Sequence, residues 1–198
     1  MKKVLLVGIV MTAFTAGCFD PPPEEIPEIP APTSPANVLS NVAASFNRPS
    51  LSLIEDSLGP SFIFHFDPED VGQNTPTGNF IIPESWSRNE FLRAVGNMYV
   101  RAYSLDMAIG AKGVGTPREG EETYLAEYVT MSLLVMVDEL SGFIAEGGYQ
   151  NFEFEKYNNE KGEVRWRLTG WWDHSHADFD DSVGSAPSSF GRVLALYY

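Results

Sequence analysis

The chain places its only cysteine at position 18, ahead of any segment that could build a core. Everything downstream must therefore fold without a disulfide and without a thiolate-bound metal, on burial and hydrogen bonding alone. Beyond a leader and a proline-rich stretch, roughly 160 residues remain, enough for one domain with a substantial core. Aromatic residues make up 13% of the chain, which favours a sheet-rich globule over a disordered one. The formal net charge is −14, and a surface of that sign repels phosphate backbones, so nucleic acid is excluded as a partner.

The N-terminus reads as an address. Lys2 and Lys3 form a positive head, Val4 to Phe14 an almost unbroken apolar segment, and Thr15, Ala16 and Gly17 a run of small residues. This is the three-part layout of a secretory signal peptide over residues 1–17. About a dozen apolar residues fall short of the roughly twenty that cross a hydrocarbon core, so cleavage is expected rather than anchoring.

The ending Thr15-Ala16-Gly17-Cys18 resembles the lipobox of bacterial lipoproteins, with Thr15 where Leu is commoner. The resemblance implies that the Cys18 thiol takes a diacylglycerol, gains palmitate-type acyl chains and becomes the mature N-terminus. Cys18 is then the lipidation site, and the membrane is a partner through that anchor. The competing reading is an ordinary signal peptide that leaves a bare thiol, a liability in an exported protein. In the Gram-negative sorting pattern an Asp directly after the lipidated cysteine favours the inner membrane. Phe19 stands there instead, which implies the outer membrane, facing the periplasm or the cell surface. Residues 18–35 form an acidic tether. Seven of the fourteen prolines fall between Asp20 and Pro35, beside Glu24, Glu25 and Glu28. A polyproline path at about 3.1 Å per residue gives this stretch a reach of roughly 50 Å.

Residues 36–198 carry the domain. "SPANVLSNVAASF" predicts a helix over 37–46, with Ser34 as cap and Pro35 in the first turn. "SLSLIEDSL" predicts a second short helix closed by Gly59-Pro60, and "SFIFHF" a strand with Phe62, Phe64 and Phe66 on one face. After a loop over 67–83, "SWSRNEFLRAVGNMY" predicts a helix with Ser87 and Glu90 at capping-box spacing. From about Val100 the period becomes that of a strand, with Tyr103, Leu105, Met107 and Ile109 alternating. "TYLAEYVTMSLLVMVDE" reads as one long strand. "YQNFEFEKY" and "EVRWRLTGWWD" read as a hairpin about "NNEKG", and "FGRVLALYY" as a last strand.

Helix, helix, strand, helix and then an antiparallel meander of about five strands make an α+β domain. That order, with "FIFHF", "SWSRNEFLRAVGNMY" and the late "VRWRLTGWWD", resembles the nuclear transport factor two-like superfamily, the cone fold shared with ketosteroid isomerase. The resemblance covers about Pro35 to Tyr198. It implies early helices packed in a strongly curved antiparallel sheet, with a cavity at the wide end of the cone. Unrelated functions share that fold, so activity must be argued from a site.

Four constellations are candidates. If "WWDHSHADFDD" is extended, His174, His176, Asp178 and Asp180 project to one side, a donor set suited to Zn²⁺ or another divalent transition ion. The spacing matches no known metal motif and precedes a polar stretch, so a solvated loop is the expectation and no metal or cofactor is assigned. His65 and Asp67 flank Phe66 and could form an orienting pair for a general base; a turn contact is the competing reading. In cone-fold isomerases an Asp base and a Tyr donor face a carbonyl, which makes Asp106 with Tyr124 or Tyr128 a pair to examine. Trp86, Trp166, Trp171 and Trp172 could line a pocket, although at least two belong in a core. No catalytic residue is assigned, and phosphate-loop, nucleophile-elbow, zincin and calcium-loop patterns are missing.

The leading expectation is a cell-envelope lipoprotein whose domain binds a small apolar ligand or an envelope protein without catalysis. The alternatives are an isomerase- or dehydratase-type enzyme with an acid–base pair in the cone cavity, and a structural component associating through its sheet. An enzyme needs at least two titratable groups converging in the cavity. A ligand binder needs an open apolar one.

Overall fold

A computed structural model of the chain describes residues 28–75, 80–176 and 188–198. The leader, Cys18, Asp178 and Asp180 lie outside the described residues.

Helix α1 (Pro35–Asn47) starts on its expected signals. The Ser34 hydroxyl accepts from the Asn37 amide at 3.2 Å, and Pro35 sits where a missing N–H costs nothing. Val38, Leu39, Val42 and Phe46, at helical spacing, are all buried. The residues just ahead of α1 also lie against the fold: the Pro30 carbonyl accepts from Asn41 Nδ2 at 3.0 Å, and the Pro32 carbonyl from the Trp166 amide at 2.8 Å.

Helix α2 (Leu51–Ser57) runs straight into β1 (Leu58–His65). Gly59 and Pro60 therefore belong to the strand instead of closing the helix. A side chain at Gly59 would stand 3.1 Å from the Leu168 carbonyl, a tight contact that the bare glycine avoids. Phe62, Phe64 and Phe66 all face inward, as their alternation requires. Ser85 begins strand β2 (Ser85–Ser87), not a helix, because these residues pair with Ile63–His65 of β1. Helix α3 (Arg88–Arg101) then opens on the expected capping box, with Glu90 Oε2 accepting from the Ser87 amide at 2.9 Å and from its hydroxyl at 2.6 Å.

The rest of the domain is β3 (Ser104–Ile109), β4 (Thr123–Val129), β5 (Met131–Met136), β6 (Gly142–Glu146), β7 (Tyr149–Asn158), β8 (Val164–His174) and helix α4 (Phe190–Ala195). One sheet has the order β2-β1-β8-β7-β4 and the other β3-β5-β6. All pairs are antiparallel except β1 with β8. Register shifts in the β1–β8, β4–β7 and β7–β8 pairs bend the larger sheet, since an extra residue on one strand kinks it and raises its twist. The class is α+β, with early helices against a strongly curved sheet, as expected.

Three further elements differ from the sequence expectation. The long strand breaks at Thr130, where the chain leaves one sheet and enters the other. Tyr128 takes a left-handed φ of 58° beside that break, and its amide is held by Asn151 Oδ1 at 3.0 Å. Strand β6 was not foreseen. "FGRVLALYY" forms helix α4, not a strand, because Phe190, Val193, Leu194 and Tyr197 bury together at helical spacing and the Ser189 hydroxyl caps the Arg192 amide at 2.9 Å.

The outer edge of β3 is closed by a side chain. Asn47 Oδ1 accepts from the Met107 amide at 2.5 Å, while its Nδ2 donates to the Met107 carbonyl at 2.9 Å. This amide mimics a neighbouring strand. Asn47→Ala is expected to cost about 1–3 kcal/mol, read as a lower urea midpoint at unchanged slope.

Candidate functional site

The space between the helices and the larger sheet is occupied by rings. Phe46, Phe64, Phe91, Phe152, Trp171 and Phe190 are fully buried. Trp171 stacks on Phe190 with centroids 4.6 Å apart and meets Phe64, Phe91 and Phe152 at 5.0–5.7 Å. These offset and edge contacts add to area burial.

Beneath this aromatic core lies a buried polar cluster that ties the end of β8 to the loop after β1 and to α4. Trp171 Nε1 donates to Gln150 Oε1 at 2.8 Å, and Gln150 Nε2 donates to Asp173 Oδ1 at 2.8 Å. Asp173 also accepts from the Ser175 hydroxyl at 2.5 Å and amide at 3.2 Å, and from the Gly191 amide at 2.7 Å. Burial pushes the Asp173 carboxyl above the usual carboxylate range, against the pull of these donors and with some help from the nearby Asp67 charge. Its lone pairs are committed to the protein's own backbone and side chains.

Two more carboxylates flank it. Asp67 accepts from the His176 amide at 2.9 Å and the Glu69 amide at 3.0 Å. Asp70 accepts from the Ser189 hydroxyl, and its Oδ1 lies 3.5 Å from both Arg192 Nη1 and His176 Nε2. Asp67, Pro68, Glu69, His174 and His176 line a small pocket of about 210 Å³ beside the cluster.

The expected pairs are rearranged. His65 and Asp67 do not form a dyad: β1 ends at His65 and the chain turns, so Asp67 points inward to His176. His65 stays on the outer face, stacked on Trp172 at 4.8 Å and 2°, and its partial burial lowers its pKa. Trp172 lies over Gly170, where any Cβ would meet the indole at 2.4 Å. Asp106 is exposed on β3 opposite Leu134, while Tyr124 and Tyr128 belong to β4 in the other sheet, Tyr128 being 68% exposed. These three do not share a cavity.

His174 and His176 both line the small pocket, but not as alternate residues of one extended strand. β8 stops at His174, which packs half-buried on Tyr149, and the following turn carries His176 inward to 7% exposure. For His176 the solvated-loop expectation fails, because Asp67 holds its amide and Asp70 faces its ring. Trp86, Trp166 and Trp171 are core, and Trp172 faces outward. Asp70, Asp173 and Ser189 were not singled out from sequence. Asp173 could have been: two-residue alternation puts it on the same face as Trp171, whose place is the core.

On the outer side, a groove of about 710 Å³ runs between α2, the start of α3 and β1. Leu58, Phe62, Ile63, Arg88, Tyr157 and Arg167 are among its lining residues. Arg88 donates to the Glu55 carbonyl at 3.1 Å, and Arg167 pairs with Glu155 at 2.8 Å while lying over the Tyr157 ring. Among the described residues no helix is long and apolar enough to cross a membrane.

No protein-family model matches the chain, and no curated protein matches it. Solved structures resemble it distantly. A protein of Kribbella flavida is similar at 12% identity and a TM-score of 0.47, over 80% of this chain and 92% of that one. A nuclear transport factor two-like protein of Rhodospirillum rubrum, described as of unknown function in nutrient uptake, is similar at 14% and 0.43, over 69% and 93%. A protein of Novosphingobium aromaticivorans described as a candidate scytalone dehydratase is similar at 8% and 0.44, over 68% and 76%. At these values the likeness concerns the path of the chain and does not extend to activity.

Proposed function

We propose that the chain is a lipid-anchored protein of the cell envelope whose domain binds a partner protein at its surface, without chemistry of its own. Acylated Cys18 is the anchor, and the stalk is the chain between it and Pro30, where bonds to the domain begin, which shortens the tether expected over residues 18–35. Phe19, in place of Asp, directs the protein to the outer membrane. The surface-binding part rests on one observation. The hollow that would receive a small apolar ligand is filled by Phe46, Phe64, Phe91, Phe152, Trp171 and Phe190, and displacing such rings costs several kcal/mol.

The outer groove is open instead. Leu58, Phe62 and Ile63 give it an apolar floor, and its walls carry Glu55 and Asp56 as well as Arg88 and Arg167, each arginine paired with a glutamate. That combination suits an extended segment whose apolar side chains cover the floor and whose polar groups meet the mixed charges of the walls. A photo-crosslinking residue at Ile63, which is 42% exposed, should yield one discrete protein adduct in intact cells. Arg167→Glu should reduce that adduct about ten-fold. Equal yields from Ile63 and from a probe at the exposed Leu140 would sink the groove as the binding site.

An isomerase- or dehydratase-type enzyme is the second reading, favoured by a single feature: His176 and Asp70 stand together, buried, beside a small polar pocket. His176→Gln would then abolish turnover and leave the Ile63 adduct intact.

A further inference from the structure

The small pocket at the ends of β1 and β8 is lined almost wholly by metal-ligating side chains: Asp67, Glu69, His174 and His176, with Pro68 between them. Acidic residues around a depression carry little by themselves. His176 supplies the second observation. It is 93% buried, and neither of its ring nitrogens makes a hydrogen bond to any described residue. Polar atoms buried in this way are rare and costly unless something satisfies them.

The surroundings of that imidazole indicate what would. Nε2 faces Asp70 Oδ1 at 3.5 Å, and Asp70 is itself fixed by the Ser189 hydroxyl and by Arg192. A carboxylate at ion-pair distance behind Nε2 leaves Nδ1 as the nitrogen with no partner nearby among the described residues, and a carboxylate behind the ring is the support found at metal-bound histidines. Asp67 holds the His176 amide at 2.9 Å, so the residue cannot swing away. The chain's charge of −14 draws cations toward any such opening.

We propose that this pocket takes a divalent transition-metal ion, with His176 as the inner ligand and His174 and Glu69 closing on it from the rim. Imidazole with carboxylate suits Zn²⁺ and its neighbours better than Ca²⁺ or Mg²⁺, which prefer oxygen alone. Among the described residues no three such donors already surround one point, so capture requires rim groups to turn inward. Glu69 is exposed and can turn in directly, while His174, half-buried, must give up its contact with the Tyr149 ring. The site shares no residue with the outer groove, and its failure would leave the surface-binding proposal standing.

The test uses the full chain without a histidine tag, stripped with a chelator and titrated with Co²⁺, whose visible absorption reports bound imidazole and carboxylate. The expected result is saturation at about one equivalent, with the bands displaced by Zn²⁺. Glu69→Gln leaves the core untouched and should weaken binding about ten-fold. Asp70→Asn, which removes the support behind His176, should weaken it by about 10–100-fold, and His176→Ala should abolish it. Should His176→Ala unfold, Glu69→Gln and His174→Ala decide the matter. Absence of saturable Co²⁺ binding, or an affinity unchanged in both of those variants, would overturn the proposal.

Discussion

Trp171→Ala should lower the unfolding free energy by about 3–5 kcal/mol, the range for deleting a large aromatic from a packed core. Trp171 is fully buried, stacks on Phe190, and touches Phe64, Phe91 and Phe152. Its removal opens a cavity at the point where β1, α3, β7 and α4 meet. It also leaves Gln150 Oε1 without the indole donor at 2.8 Å, adding the penalty of an unsatisfied buried acceptor. Trp172→Ala is the control. The next residue in the strand faces outward, stacked on His65 and lying over Gly170, so its loss should cost about 1 kcal/mol or less. Comparable urea midpoints for the two variants would mean that the inward and outward faces of β8 are misassigned.

The second large effect is expected at Asp173. Asp173→Ala removes the acceptor for the Gly191 and Ser175 amides and for Gln150 Nε2. Each buried donor left unsatisfied costs about 1–3 kcal/mol, and partial relaxation sets the expected total at about 3–5 kcal/mol. Helix α4 loses the carboxylate that receives its first-turn amide, so faster amide exchange over residues 190–195 should accompany the loss. Asp173 also gives stability a pH dependence of definite sign. Burial raises its folded pKa above the unfolded value, so the folded state holds more protons between the two. This group's contribution is full below the unfolded pKa and declines as pH rises through the window above it. Asp173→Asn cannot ionise and should flatten that part of the profile. A variant whose stability still falls with pH over the same window would show that another group is responsible.

Local signals carried part of this architecture. Ser34 with Pro35, and Ser87 with Glu90, mark their helix starts because a cap needs only residues within one turn. Phe62, Phe64 and Phe66 declare an inward face by alternation, and "NNEKG" declares a hairpin. What stayed hidden depends on distant partners. "FGRVLALYY" is rich in residues that suit a strand, and its helix is held by Asp173 and Asp70 from more than a dozen positions away. Nothing near Thr130 announces the break between β4 and β5. It is set by Asn151 holding the Tyr128 amide and by the register shift against β7. The site was half legible for the same reason. "HSH" stood out as a ligand-type pattern, but Asp67 and Asp70, which turn His176 inward, lie more than a hundred residues earlier. The filling of the space between helices and sheet could not be read either, because it depends on how six rings from six segments meet.

Every statement about where this protein works depends on what becomes of a single sulfur. The intact mass of the mature protein, purified from the membranes of its own cells, is the direct measurement. The account predicts a chain beginning at residue 18 whose N-terminal peptide carries a diacylglycerol thioether. A free Cys18 thiol, or a chain that still begins at Met1, would contradict it.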